Sequence, residues 1–167
     1  MAQQLDGMAS GLTGVLEELR EIARGIHPAA LAGGGLQPAL KTLARRSAVP
    51  VRLDVGVERR LPESIELAAY YVVSEALTNT AKHAHATVAD VRLTAGDGEL
   101  RVWVRDDGRG GADLAGGTGL VGVQDRVEAL GGSISVQSPP GAGTTLEIAF
   151  PLTDPSRPVT RDPQPTA

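Results

Sequence analysis

The sequence SEALTNTAKHAHA, residues 74–86, places a carboxylate, a carboxamide, a lysine and histidines in one short, largely apolar segment. In an α-helix, Glu75, Asn79 and Lys82 or His83 would share one face, because residues four, seven or eight positions apart project in similar directions. Such a face raises the question of what lies between an acid, a neutral oxygen donor and cations.

Apolar spacing extends this helix from Pro62 to near His85, and it predicts a shorter helix on either side. Residues 37–47 have Pro38 in their first turn, where a proline is tolerated. Residues 120–130 repeat the helical spacing and end before two glycines, a common helix stop. We therefore expect three helices between residue 36 and the end of the last strand.

Segments that alternate apolar and polar residues predict strands with one buried face. Two of them are joined by the turn Gly96-Asp97-Gly98 and form a hairpin. Hairpins connected by helices predict a mixed sheet with helices on one face, which is a two-layer α/β sandwich and not a Rossmann pattern. The predicted strands are 51–57, 89–95, 100–104, 133–138 and 145–150.

The N-terminal segment has apolar residues in a heptad spacing, which predicts a helix. A stripe this narrow favours a bundle or dimer seam, and the alternative is a helix lying on its own domain. The helix ends at His27, because the residue before a proline is pushed out of the helical region. The apolar positions are Leu5, Met8, Leu12, Val15, Leu19, Ile22 and Ile26. The chain thus divides into a helix (1–27), a glycine-containing linker (28–35), a globular domain (36–152) and a disordered, proline-rich tail (153–167).

Composition excludes several classes of protein. The 167 residues have a formal net charge of -4 and no Lys/Arg block, so we expect no nucleic-acid partner. Cysteine is absent, which excludes a disulfide framework and fits a reducing compartment. No apolar run approaches the roughly 20 residues of a membrane span. We expect this chain to be cytoplasmic and free of membrane contact; a membrane anchor elsewhere in the full-length protein is left open.

Three glycine-rich stretches follow or precede predicted elements: DDGRGG (106–111), GGTGLVG (116–122) and PGAGTT (140–145). Each lets backbone come close to a ligand because no Cβ intervenes, although each is also compatible with an ordinary turn. The second has the G-x-G-x-x-G spacing of dinucleotide sites, but a hairpin and not a βαβ unit precedes it. It retains a helix N-terminus, whose free N–H groups attract phosphate.

Asp106 stands at a predicted strand end beside glycines. Its carboxylate is suited to accept a hydrogen bond from the exocyclic amine of adenine, which would distinguish ATP from GTP. The alternative is an acid that stabilises its own turn, and Asp107 is equally suited to that role.

Four motifs occur in the order Glu-x-x-x-Asn, Asp-x-Gly-x-Gly, Gly-x-Gly-Leu-x-Gly and Gly-x-Gly-Thr. They resemble the N, G1, G2 and G3 boxes of the Bergerat ATP-binding fold of histidine kinases, type II topoisomerases, Hsp90 and MutL. SEALTNTAKHAHAT and GLVGVQDRVEALGGSISVQSPPGAGTTLEIAFPL resemble the sensor histidine kinases that pair with helix-turn-helix response regulators. LEELREIARGIHPAAL resembles the second helix of their dimerisation and phosphotransfer domain. The resemblance covers residues 1–152.

The resemblance implies that Asn79 supplies an oxygen to Mg²⁺, whose remaining ligands come from phosphate and water. Glu75 would lie near the water shell of the metal or orient the attacking group, as a catalytic residue. Lys82 and His83 would lie where phosphate charge accumulates. The alternative for His83, and for His85, is a surface histidine near a helix C-terminus.

The resemblance also implies that Asp106 recognises adenine, helped by Thr144 or Thr145 through water. Gly108 and Gly110 would let the base approach. The stretch before the last helix would form a short lid, and the start of that helix would reach the phosphates. The residues implied there are Thr118, Gly119, Leu120 and Gly122.

One departure from the family pattern concerns the phospho-accepting histidine, which in these kinases lies on the first dimerisation helix. His27 is followed by Pro28 at a helix end, so we assign it no acceptor role. We expect a truncated kinase: a catalytic domain that binds Mg-ATP, with the second dimerisation helix attached. Its partners would be a histidine-bearing helix of the full-length protein or its dimer mate, and a downstream response regulator. We expect the full-length protein to be a homodimer.

Two other functions remain open. One is a regulatory serine kinase resembling the anti-sigma factors with this fold, although those proteins lack a heptad helix such as residues 5–26. The other is a clamp of the Hsp90 or MutL type, which needs a longer lid and further domains. A scaffold with decayed motifs is a third possibility, but every motif residue is present.

Overall fold

The computed structural model describes residue 31 and residues 34–112 and 118–152. The helices are α1 (Leu36–Arg46), α2 (Glu63–Asn79) and α3 (Thr118–Ala129), with a π-helical turn (Thr80–Ala84) directly after α2. The strands are β1 (Val51–Gly56), β2 (Ala89–Gly96), β3 (Glu99–Asp106), β4 (Ser133–Gln137) and β5 (Thr144–Pro151). The predicted heptad helix and the predicted tail lie outside the described residues.

The strands form one five-stranded mixed sheet in the order β1-β2-β3-β5-β4. β1 runs parallel to β2, and the remaining pairs are antiparallel. The β2–β3 hairpin turns at Asp97 and Gly98, whose φ angles of 53° and 76° are those of a type I′ turn. This pairing places the end of β3 beside the start of β5, so Asp106 is opposite Thr144.

One face of the sheet is buried under the three helices. Alternate residues of β2, β3 and β5 join a single hydrophobic cluster with residues of α1, α2 and α3. Because a side chain in a strand points to the opposite face from its neighbours, this alternation decides which residues reach the core. The strand residues in the cluster are Ala89, Val91, Leu93, Leu100, Val102, Val104, Leu146, Ile148 and Phe150.

The other face of the sheet is polar. Arg52 forms an ion pair with Asp90 at 2.7 Å, and the guanidinium of Arg92 lies over the ring of Trp103 at 5.1 Å. These residues line a groove of about 580 Å³ on the face away from the helices. The predicted two-layer α/β sandwich with helices on one face is therefore confirmed.

A buried acid in the first turn of α2, Glu66, holds the segment that precedes this helix. Glu66 is 2% exposed and accepts hydrogen bonds from Arg60 Nε and Nη2 and from the backbone N–H of Leu61. Gly35, with φ of 77°, packs under the Arg60 side chain. The ion pair of Arg60 with Glu66, with Gly35 packed against it, ties the segment before α1 to the helix that bears the Glu-x-x-x-Asn motif.

The helix predicted from Pro62 to near His85 differs at its C-terminal end. It is α-helical only to Asn79 and continues as the π-helical turn, after which His85 adopts a left-handed conformation with φ of 53°. The carbonyl oxygen of Ala84 accepts a hydrogen bond from the backbone N–H of Arg109 at 2.8 Å. This tertiary contact holds the widened turn, and π-helical turns of this kind are frequent at functional sites.

Candidate nucleotide-binding site

Asp106 lies at the end of β3 on the helix-covered face of the sheet and is 6% exposed. Its Oδ1 accepts the backbone N–H of Gly108 at 2.9 Å and that of Thr144 at 3.2 Å. Its Oδ2 lies 3.4 Å from the hydroxyl of Thr80. One carboxylate oxygen is therefore fixed by backbone, and the other faces the end of the helix that bears Asn79.

The loop after β3, residues 107–112, is held on two sides. On one side, Arg109 donates its backbone N–H to Ala84 in the π-helical turn. On the other side, the backbone N–H of Gly111 donates to the Ser138 carbonyl at 2.8 Å, and Gly141 donates to the Arg109 carbonyl at 2.6 Å. The loop is thus pre-organised between the helix end and the β4–β5 turn, which lowers the ordering cost of binding.

Three glycines in this region are required by close approach. A Cβ on Gly108 would lie 2.6 Å from the Ala84 side chain and closer still to the Ala84 carbonyl oxygen. Gly143 has φ of 79°, and a Cβ there would overlap the Asp106 carbonyl oxygen. A Cβ on Gly110 would likewise overlap the Pro139 carbonyl oxygen. The G1 and G3 motifs therefore pack against each other. Their order in the sequence does not by itself require this contact.

The motif on α2 meets the start of α3. A Cβ on Gly119 would overlap Oε1 of Glu75, so this carboxylate would have to shift if Gly119 carried a side chain. One turn before Glu75, the ring of Tyr71 lies under the guanidinium of Arg126 from α3 at 4.6 Å. The two helices thus bring the predicted catalytic acid to the helix N-terminus that is expected to bind phosphate.

Asn79 is half-buried and is the last α-helical residue of α2, four positions after Glu75. Lys82 and His83 lie in the π-helical turn and are exposed, as is His85. Glu75 and Asn79 keep the α-helical spacing that was predicted, whereas Lys82 and His83 follow in the π-helical turn, where the rotation per residue is smaller. The side chains of Lys82 and His83 are exposed to solvent.

The structure distinguishes between the two threonines of the G3 motif. Thr144 shares the face of Asp106, donates its backbone N–H to it, and has its hydroxyl 2.9 Å from that of Ser138. Thr145 pairs with Arg105, and the alternation of β5 directs its side chain to the opposite face of the sheet. Thr144 is therefore the threonine placed to assist Asp106.

The remaining predicted contacts lie at the start of α3. The helix begins at Thr118, Leu120 is half-buried against the hydrophobic cluster, and Gly122 is exposed with open space around it. Leu120 thus anchors the helix, while its N-terminal backbone faces the Glu75 side chain next to Gly119.

Asp107 does not stabilise its own turn but joins the loop after β3 to the segment before β2, whereas Asp106 Oδ1 accepts the hydrogen bond within the turn, from the backbone N–H of Gly108. Its carboxylate accepts hydrogen bonds from the Thr87 hydroxyl and from the backbone N–H groups of Thr87 and Val88. These bonds hold the pKa of Asp107 below its ordinary value of 3.8, the Thr87 hydroxyl being the largest cause. Asp106, by contrast, is buried at the site.

These hydrogen bonds predict that the contribution of Asp107 to the free energy of unfolding depends on pH. A carboxyl group whose pKa is lowered by folding stabilises the fold above its unfolded pKa, and the contribution is lost as the pH falls through the lowered value. We expect Asp107→Asn to reduce the free energy of unfolding near pH 6, and the difference from wild type to shrink as the pH falls below the ordinary carboxyl pKa of 3.8.

Urea denaturation at several pH values measures this difference, with Asp54→Asn as the matched control because Asp54 is an exposed acid on β1. A difference between wild type and Asp107→Asn that stays constant over the whole range would contradict the assignment.

Within residues 34–112 and 118–152, no group of three His, Asp or Glu side chains is arranged to hold a metal ion. A magnesium ion at Asn79 would therefore take most of its ligands from phosphate and water, which suits a cation that keeps several waters and needs few protein oxygens. The site residues fit a metal bound as its nucleotide complex.

Known proteins with this arrangement share an ATPase domain. A family model described as histidine kinase-, DNA gyrase B- and HSP90-like ATPase matches residues 64–154, more than half of the chain. The chain belongs to this ATPase family. The match begins at the first turn of α2 and includes every site residue discussed above.

Relatives of this ATPase domain are sensor histidine kinases. The chain is 34% identical over 146 residues to the signal transduction histidine-protein kinase/phosphatase DegS of Brevibacillus brevis, covering 83% of this chain and 38% of that protein. It is 35% identical over 154 residues to the sensor histidine kinase NarS of Mycobacterium tuberculosis, covering 86% of this chain and 36% of that protein. The chain thus spans less than half of the length of these relatives.

Among solved structures, the histidine kinase domain of the blue-light activated histidine kinase of Erythrobacter litoralis EL346 is similar, with a TM-score of 0.58 and 29% identity. The similarity covers 70% of this chain and 58% of that one. The sequence-based assignment to an ATP-binding catalytic domain of the sensor histidine kinase type is confirmed. The relatives named here are histidine kinases and not anti-sigma factors. No helix in the described part of the chain is long and apolar enough to cross a membrane.

Proposed function

We propose that this chain binds Mg-ATP at the site around Asp106 and Asn79 and serves as the catalytic domain of a sensor histidine kinase. The full-length protein transfers the γ-phosphoryl group to a histidine that is not one of the histidines of this chain. A response regulator then receives the phosphoryl group, and a second copy of the protein completes the kinase as a homodimer. The similarity to sensor histidine kinases over most of this chain supports this proposal.

The single observation that supports nucleotide binding most directly is the environment of Asp106. Its carboxylate is nearly buried, and Gly108 and Thr144 hold one oxygen from the backbone. A buried carboxylate is costly unless its oxygens are well hydrogen-bonded, and Oδ2 has one long contact of 3.4 Å with the Thr80 hydroxyl, so this oxygen favours a ligand that donates. The exocyclic amine of adenine is such a donor, whereas the keto oxygen of guanine is not.

The phosphates of the nucleotide extend from Asp106 along α2 towards the start of α3. Asn79 would hold the magnesium ion, which neutralises phosphate charge when it is bound. The N-terminal N–H groups of α3 near Gly119 add partial positive charge. Lys82 and His83, exposed beside Asn79, add cationic charge where the terminal phosphate leaves the pocket.

Glu75 lies one helical turn before Asn79 and beside Gly119, which supports a position for its carboxylate near the terminal phosphate. In the proposed transfer, a ring nitrogen of the accepting histidine forms a bond to the γ-phosphorus. The bond from that phosphorus to the bridging oxygen breaks, and ADP retains the electron pair. The Glu75 carboxylate orients the imidazole and accepts the proton that the ring releases.

Titration calorimetry of the 167-residue chain with ATP, with and without Mg²⁺, tests this proposal. We expect ATP to bind more tightly with Mg²⁺, and Asn79→Ala to weaken Mg-ATP binding by at least about tenfold while removing the dependence on Mg²⁺. Loss of the metal dependence identifies Asn79 as the metal ligand, which a general loss of folding would not do.

Thr78→Val is the matched control, because Thr78 precedes Asn79 and its hydroxyl bonds back to the Ser74 carbonyl at 2.8 Å within the helix. This variant should retain the affinity and the metal dependence of the wild type. Wild-type protein that binds no ATP, or binds it equally with and without Mg²⁺, would overturn the proposal.

A further inference from the structure

We propose that Thr80 is a positioning residue that determines purine specificity, because it orients Asp106 Oδ2 and makes this edge of the pocket accept hydrogen bonds only. The inference rests on the proposed function and names a residue that the sequence motifs do not single out. Thr80 directly follows Asn79 and is the first residue of the π-helical turn.

The position of the Thr80 hydroxyl is defined by two oxygens. Thr80 is 3% exposed, and its Oγ1 lies 2.9 Å from the Ala76 carbonyl oxygen and 3.4 Å from Asp106 Oδ2. A hydroxyl has one proton to donate and two lone pairs that accept. The proton is shared between the Ala76 carbonyl oxygen and Asp106 Oδ2, so donation towards Oδ2 orients this carboxylate oxygen and the lone pairs of Oγ1 remain as acceptors.

Two acceptor oxygens then lie side by side at the floor of the site. Oδ1 of Asp106 already receives the N–H groups of Gly108 and Thr144, so Oδ2 and the Thr80 Oγ1 are the oxygens that remain for a ligand. Buried acceptors favour a donor between or in front of them. A purine with an exocyclic amine supplies the donor, and a purine with a keto oxygen at the same position is repelled.

The surrounding backbone holds Thr80 in this position. Residue 84 at the other end of the π-helical turn accepts the N–H of Arg109, and Gly108 packs on the same residue. The turn and the loop after β3 are therefore fixed to each other, and the distance from Thr80 to Asp106 is set by backbone contacts on both sides. The threonine methyl group is buried with the hydroxyl, which restricts χ1.

Other threonines show what a hydroxyl with a purely structural role does in a helix. Thr78 Oγ1 bonds back to the carbonyl four residues earlier, as Thr80 Oγ1 does, and Thr42 repeats the contact in α1. Such bonds to the preceding turn are local and have little effect on stability. Of these three threonines, Thr80 is the one whose hydroxyl also reaches a carboxylate.

The test compares Thr80→Val, Thr80→Ser and Thr78→Val by titration with Mg-ATP and Mg-GTP, together with urea denaturation. Valine keeps the shape of threonine and removes the hydroxyl, so Thr80→Val should weaken ATP binding about tenfold and lower the ATP-to-GTP affinity ratio by a similar factor. Thr80→Ser should restore the ratio, and Thr78→Val should leave it unchanged. Should Thr80→Val fail to fold, Thr80→Ala provides the same comparison.

An ATP-to-GTP ratio in Thr80→Val equal to that of the wild type would overturn this inference while leaving the proposed function intact. The same conclusion would follow if Thr80→Ser lost as much selectivity as Thr80→Val, because serine retains the hydroxyl. Wild-type protein that binds neither nucleotide would instead overturn the proposed function, and this inference with it.

Discussion

Asp106→Asn is expected to weaken Mg-ATP binding by about 100-fold or more while leaving the fold intact. The asparagine oxygen can take the place of Oδ1 and still accept the N–H groups of Gly108 and Thr144. The amide nitrogen then replaces Oδ2 and presents a donor where the adenine amine also donates. Two donors face each other, and the loss corresponds to about 3 kcal/mol.

The same change should shift selectivity towards GTP, because the guanine keto oxygen accepts from the new amide. Calorimetry with both nucleotides measures the shift, and urea denaturation checks that the fold is retained. Asp97→Asn is the matched control: Asp97 is exposed in the β2–β3 turn, and asparagine tolerates its φ of 53°. Unchanged ATP affinity in Asp106→Asn would place the purine elsewhere.

Gly108→Ala is expected to damage both stability and binding. The added methyl group would lie 2.6 Å from the Ala84 Cβ and would overlap the Ala84 carbonyl oxygen, which already accepts the N–H of Arg109. The loop after β3 would have to move away from the π-helical turn. We expect the free energy of unfolding to fall by about 2–3 kcal/mol and Mg-ATP affinity to fall at least about tenfold.

Gly96→Ala is the control for Gly108→Ala, because a Cβ at Gly96 meets nothing within 4 Å. Its effect on unfolding should stay within about 0.5 kcal/mol. Urea denaturation and calorimetry on the two variants give the comparison. If Gly108→Ala proved as stable as wild type and bound ATP normally, the tight contact between the loop and the π-helical turn would be irrelevant to the site.

The local elements of this domain follow from spacing along the chain. The helical period placed α1, α2 and α3 to within a few residues, and the alternating period placed all five strands. Periodicity succeeds because each helix or strand buries one face, and a buried face repeats at the spacing of its own backbone. The same reasoning predicted the mixed sheet with helices on one face.

Periodicity predicted where this helix ends, near His85, but not that its last turn is π-helical. Residues 80–84 have small and polar side chains that are compatible with a continued α-helix, and the π-helical turn is stabilised by Arg109, which is distant in sequence. Consequently the α-helical spacing predicted for Glu75, Asn79, Lys82 and His83 extends only to Asn79. A hydrogen bond from a loop that is distant in sequence does not change the local pattern of apolar and polar residues.

By itself, then, the sequence determined the elements, the sheet with one covered face and the four motifs that identify the ATPase family, because these depend on spacing and residue type along the chain. Tertiary structure alone decided that Thr144 and not Thr145 lies beside Asp106, that Asp107 holds the segment before β2, and that Thr80 contacts the carboxylate. These contacts join residues on separate elements, and strand register together with the widened helix turn brings them within hydrogen-bond distance.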